Sequence, residues 1–120
     1  EALMNEYLAL QNQHISIWQA SPLYMGLLGS KFGTYIKENP SWIPKSHIQR
    51  AIELNEYCIK TAVSISALAL HFVYDNPLIY KMVLGASNFS ELKQSLEWLN
   101  DKTFLFENHS HHHLFYNNIL

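Results

Sequence analysis

Apolar residues recur along this chain at two periods, and each change of period marks an element. Leu3, Tyr7 and Leu10 lie on one face of a helix predicted over residues 2–12. Polar Gln11, Asn12 and Gln13 end it. Ile15, Ile17 and Trp18 then form a run of strand-favouring side chains that stops at Ser21-Pro22, which predicts a strand over 15–20. Residues 21–29 read as a loop with one helical turn. Residues 30–45, with Gly33, Pro40 and Pro44, read as a long loop around Trp42, a length that often belongs to a lid or binding loop.

The strongest helical pattern runs from Lys45 to about Ala62. Ser46 is its expected cap, and Ile48, Ala51, Ile52, Cys58, Ile59 and Ala62 form its inner stripe, interrupted by Asn55. After a break at Val63-Ser64 a second helix is predicted over 65–74, carrying Leu68, Ala69, Phe72 and Val73 and stopped by Asp75-Asn76-Pro77. A strand over 79–84 follows, with Met82, Val83 and Leu84 as a buried run. The last helix spans about 89–99 with Leu92, Leu96 and Leu99 inward. Trp18 and Phe72, both in regular elements, are assigned to the core.

The connection between that strand and helix is the most informative stretch. Gly85, Ala86 and Ser87 are small enough to let a ligand or another backbone approach. Asn88 precedes Glu91 by three residues, the spacing of a capping box. Such a turn leaves backbone N–H groups at the positive end of a helix dipole, which suits phosphate. The same spacing also serves an ordinary strand–helix connection.

Strands alternating with helices imply parallel pairing and an α/β layer. Two parallel strands do not make a stable sheet alone. The first helix also begins without a cap or an initiator Met. The chain is therefore read as part of something larger, cut within or just before a helix, with open strand edges that invite self-association or pairing with a missing portion.

Composition narrows the function classes. The 120 residues fit one domain, 48% of them are hydrophobic, and the net charge of −2 comes with no basic run. Nucleic acid and acidic membrane surfaces are thus not expected partners. Cys58 is the only cysteine, which leaves no intrachain disulfide or Cys-based zinc site and suits a reducing, cytoplasmic compartment. It sits on an apolar helix face without a neighbouring base, a poor setting for a catalytic thiol. His109, His111, His112 and His113 lie in an aromatic tail, residues 101–120, with no carboxylate or cysteine pattern beside them, so no metal site is assigned. His14 and His71 have no visible triad partner. Trp42 either closes over a ligand or pins its loop to the core.

Four pieces in order carry a family resemblance: Ser-Pro-Leu-x-Met-Gly-Leu-Leu (21–28), Asn-Pro-Ser-Trp-Ile-Pro (39–44), Ser-x-Leu-Ala-Leu-x-Phe (66–72) and Val-Leu-Gly-Ala-Ser-Asn-x-x-Glu-Leu (83–92). Over residues 1–100 the chain resembles the C-terminal part of the aldo/keto reductases, nearest the L-galactose dehydrogenase and D-threo-aldose 1-dehydrogenase branch. The resemblance implies an α/β fold, the C-terminal part of a (β/α)8 TIM barrel, with residues 15–20 and 79–84 as strands seven and eight. Barrels of this kind commonly bind phosphate in the loops after those strands.

By the same resemblance, Ser21 and Leu23 line the pyrophosphate and ribose of a nicotinamide cofactor. Gly85, Ala86, Ser87 and Asn88 surround the adenosine phosphate, and Glu91 and Ser95 lie near the adenine end. Many family members carry Arg or Gln at the position of Glu91. A carboxylate there repels a 2′-phosphate, so NAD is favoured over NADP. The family's Asp, Tyr, Lys and His tetrad is carried by the N-terminal half of the barrel and has no counterpart here. The expected function is an NAD(P)-dependent oxidoreductase acting on a sugar or small carbonyl, with this segment binding cofactor but inactive alone. The alternative is a non-catalytic binding or assembly module.

Overall fold

The computed structural model describes residues 2–101; the aromatic, His-rich stretch 102–120 lies outside the described residues. In chain order the elements are α1 (Ala2–Asn12), β1 (Trp18–Ala20), a single tight turn of helix at Tyr24–Gly26, α2 (Phe32–Glu38), α3 (Lys45–Lys60), α4 (Ile65–Tyr74), β2 (Lys81–Val83) and α5 (Phe89–Asn100).

The core forms where the apolar faces of α3 and α4 meet the loop after β1. Leu27, Leu28, Ile43, Ile48, Ala51, Leu54, Cys58, Leu68 and Ala69 pack as one cluster. Helix α4 is apolar on nearly every side and is correspondingly the most enclosed element; Leu70 is 0% exposed. Ser64 caps it, its hydroxyl accepting from Ala67 N at 3.3 Å. At the other end Asn76 Oδ1 accepts from Leu78 N at 3.0 Å and turns the chain towards β2. The axes of α3 and α4 are bent by 106° across residues 61–64, and no single helix among the described residues is long and apolar enough to cross a membrane.

Strands β1 and β2 pair in parallel, with Trp18 opposite Lys81, Gln19 opposite Met82 and Ala20 opposite Val83. Each is shorter than its predicted span. Alternation along both strands leaves the middle residue half-buried and the flanking ones exposed. Helix α4 packs on β2, and on the Gln19 side Tyr7 Oη of α1 donates to Gln19 Oε1 at 2.9 Å. The opposite side has no covering element among the described residues. Trp18, assigned to the core by its β-propensity, is therefore 59% exposed, with the Lys81 ammonium 5.4 Å from its ring centroid. Val83 is exposed for the same reason. Phe72 packs against the core as expected.

Four further expectations are corrected. Residues 30–45 are not one loop: Phe32, Tyr35 and Ile36 fall at helical spacing and pack against the core as α2. Asn39 ends it in a left-handed conformation (φ 46°), its N–H donating to Tyr35 O at 2.9 Å. Ser46 does not cap α3; Pro44 is the cap residue and makes no side-chain cap bond. The inner stripe of α3 runs through Ile48, Ala51, Leu54 and Cys58, so Leu54 replaces Ile59, which is exposed. Finally, α5 turns Ser95 inward and leaves Phe89, Leu92 and Leu96 exposed. Its cap and a histidine contact described below fix that rotation.

Burial also decides the chemistry of Cys58. Desolvation pushes its thiol up to about 11 from 9.0. The folded-state value lies above the unfolded one, so the neutral thiol's contribution to stability is complete below about pH 9 and fades as pH rises through about 11. Alkylation of the native chain at pH 8 is expected to be on the order of 100-fold slower than in urea, from thiolate population alone. Equal rates in a timed iodoacetamide assay contradict this burial.

Candidate functional site: a cleft between the two strand–helix turns

The turns that follow β1 and β2 emerge from the same end of the parallel pair, and a cleft of about 590 Å³ opens between them. That volume suits a small-molecule ligand. Its lining includes all eight residues assigned from the sequence: Ser21, Leu23, Gly85, Ala86, Ser87, Asn88, Glu91 and Ser95. Trp42 is not among the lining residues; it sits on the α2–α3 connection, edge-on to Tyr35 with ring centroids 5.3 Å apart.

The first wall is held in an unusual backbone conformation. Ser21, Tyr24, Met25 and Gly26 have φ of 53°, 47°, 52° and 99°, and only the glycine adopts such values without steric cost. Left-handed residues persist where surrounding bonds over-determine them. Here Tyr24 N donates to Ser21 O at 2.8 Å, Gly26 N to Leu23 O at 3.0 Å and Lys31 N to Gly26 O at 3.1 Å. Tyr24 Oη and His47 Nδ1 stand 2.8 Å apart and tie the loop to α3. Ser66 on α4, also lining the cleft, donates to Leu28 O at 2.9 Å.

Lys31 is a cleft residue that sequence reasoning missed. A Cβ built on Gly26 meets the Cβ, Cγ and Cδ of Lys31 at 3.1, 3.1 and 3.2 Å, so the absent side chain at Gly26 leaves room for the lysine stem. Among the described residues Lys31 is the only cation lining the cleft, and its ammonium lies 5.9 Å from the Tyr35 ring centroid. The signal was its place on the loop after β1, five residues beyond Gly26.

The second wall is the capped start of α5. Asn88 Oδ1 accepts from Glu91 N at 2.9 Å, as the spacing predicts. The reciprocal bond differs by one residue: Glu91 Oε2 accepts from Ser87 N at 2.8 Å, not from Asn88 N. The turn read as a cradle of outward donors thus already holds one anion, the chain's own carboxylate. A phosphate bound there meets the charge of Glu91 at close range.

The third wall is the inner face of α5. Ser95 is 5% exposed, and Trp98, which the sequence reading did not single out, lines the cleft one turn further on. The position of Trp98 is set by His71. His71 Nδ1 lies 2.9 Å from Asp75 Oδ2, and its Nε2 lies 2.7 Å from Trp98 O. A carboxylate and a backbone carbonyl are both acceptors, so the ring is held between two hydrogen-bonding partners on different helices. The imidazole thereby joins α4 to the C-terminal end of α5.

Among the described lining residues only Lys31 and Glu91 titrate. The lining offers hydroxyls, amides, backbone donors and one cation, with neither histidine nor tyrosine to deliver a proton. It is equipped to bind and orient. Comparison with protein-family models finds no match, and comparison with curated proteins finds none either.

Proposed function

We propose that this chain is the cofactor-holding portion of a nicotinamide-dependent oxidoreductase of the aldo/keto reductase type. The observation that carries the reading is convergence. Two turns at the C-terminal ends of parallel strands and the N-terminus of a capped helix border one cleft, the usual location of dinucleotide sites in α/β folds. In this reading β1 and β2 are strands seven and eight of a (β/α)8 barrel. On the same reading the catalytic tetrad is carried by the N-terminal half of the parent barrel, and the substrate is a sugar or small carbonyl. The pyrophosphate lies between the Ser21 loop and the α5 N-terminus, within reach of Lys31. Glu91 disfavours a 2′-phosphate, so the cofactor is NAD in preference to NADP. A single buried free cysteine suits the reducing cytoplasm.

Titration of the 120-residue chain with NAD, NADP and adenosine monophosphate tests this by calorimetry. Heat of binding with a discrete stoichiometry is expected. No binding of any of the three at millimolar concentration overturns the cleft assignment. Lys31→Met is expected to weaken NAD binding about tenfold and to flatten its salt dependence, as loss of one charge-assisted contact would. Lys31→Arg retains both.

A second reading, an assembly module without activity of its own, draws on the uncovered sheet face and on the exposed Phe89, Leu92 and Leu96 of α5. Such surfaces mark association sites when contiguous. A concentration-independent monomer in light scattering contradicts it.

A further inference from the structure

We propose that Trp98 is the platform on which a planar heteroaromatic ring of the ligand stacks, with the Ser95 hydroxyl meeting the edge of that ring. This rests on the dinucleotide reading above and adds to it which residue selects for a base. Three observations carry it.

Ser95 is 5% exposed, lines the cleft and has no side-chain hydrogen bond among the described residues. Buried hydroxyls are normally paired, so an unpaired one bordering a cleft marks a position where a ligand supplies the partner. Trp98 lies three residues on, on the same helical face. It differs from the chain's other two tryptophans. Trp18 meets Tyr80 and Lys81, and Trp42 meets Tyr35. The Trp98 ring has no aromatic or cationic partner among the described residues, and its indole N–H has no acceptor there. An indole with both its π-face and its donor unused is suited to a flat, hydrogen-bonding ring.

The third observation is preorganisation. The Trp98 carbonyl is fixed by His71 Nε2 at 2.7 Å, so the platform is anchored before a ligand arrives. Glu91 sits at the polar N-terminal end, and Trp98 lies seven residues on, about 10 Å along the axis. A nucleotide laid along this helix with its phosphate facing Lys31 across the cleft places its base over Trp98.

The test uses the 120-residue chain with three probes: adenosine monophosphate, ribose 5-phosphate and inorganic pyrophosphate. The wild type is expected to bind adenosine monophosphate more tightly than the two probes without a base, with quenching of tryptophan emission. Trp98→Leu is expected to weaken adenosine monophosphate roughly 5- to 150-fold, the range of base–aromatic stacking, while binding of the other two probes is unchanged. Trp98→Phe keeps most of the affinity but loses the quenching. Ser95→Ala weakens adenosine monophosphate alone. Equal affinity of wild type and Trp98→Leu for adenosine monophosphate overturns the platform, as does quenching that persists in Trp98→Phe. If Trp98→Leu does not fold, the Trp98→Phe quenching result decides. Absence of binding by the wild type to all three probes and to NAD overturns the dinucleotide reading itself, and with it the platform.

Discussion

Replacing His71 by leucine is expected to lower the unfolding free energy by about 2–3 kcal/mol and the thermal midpoint by roughly 10–20 °C. The imidazole is 3% exposed and bridges two helices, with Nδ1 2.9 Å from Asp75 Oδ2 at the α4 cap and Nε2 2.7 Å from the Trp98 carbonyl of α5. Leucine supplies neither contact. It leaves a buried carbonyl unpaired and a carboxylate whose side chain is only 21% exposed. A fully buried pair broken in this way costs about 3–5 kcal/mol; the partial exposure of Asp75 lets water recover some of that. Asp75→Asn is expected to cost less, because its amide retains an acceptor for the ring and can rotate to donate. Urea denaturation followed by circular dichroism separates the two variants. A leucine variant within about 0.5 kcal/mol of wild type contradicts the bridging role, since neutral substitutions fall in that range.

The second large effect concerns the ligand. Glu91→Gln is expected to raise affinity for NADP on the order of 10- to 100-fold while leaving NAD nearly unchanged. Glutamine keeps an acceptor for Ser87 N–H, so the cap survives and only the charge is lost. Like charges brought together at a binding site cost several kcal/mol, which sets the size of the change. The gain shrinks as ionic strength rises, because the carboxylate is near the surface and its field is screened. The ratio of the two dissociation constants is the measured quantity; an unchanged ratio removes Glu91 from cofactor choice.

Periodicity located α1, α3, α4 and α5 within a few residues, because each has an apolar face long enough to repeat. It failed at α2, where Gly33 and the flanking prolines outweighed Phe32, Tyr35 and Ile36. It also failed for the rotation of α5. Three leucines at helical spacing predicted the inner face, but the cap at Asn88 and the His71 bond to a backbone carbonyl set the rotation, and backbone contacts between helices leave no trace in a hydropathy pattern. The fate of Trp18 depended on which side of the sheet is covered, a tertiary property. All eight assigned site residues line one cleft because turns after parallel strands share one end of a sheet. Lys31 joined them from the same loop after β1, five residues beyond Gly26, and Trp98 from a position that no local signature marks.

The pairing of β1 with β2 has a kinetic consequence. The two three-residue strands are about 60 residues apart in sequence, and closing a loop of that length costs about 4 kcal/mol in chain entropy. So short a ladder returns little of this until the helices between the strands have packed. The α3–α4 core therefore forms first, and the strands join late, with low protection of their amides against exchange. A molecule that touches both turns at once acts as a clasp across that late-closing loop. Occupancy slows strand separation more than it slows exchange in the helical core, so the first motion that a ligand silences is the parting of the sheet.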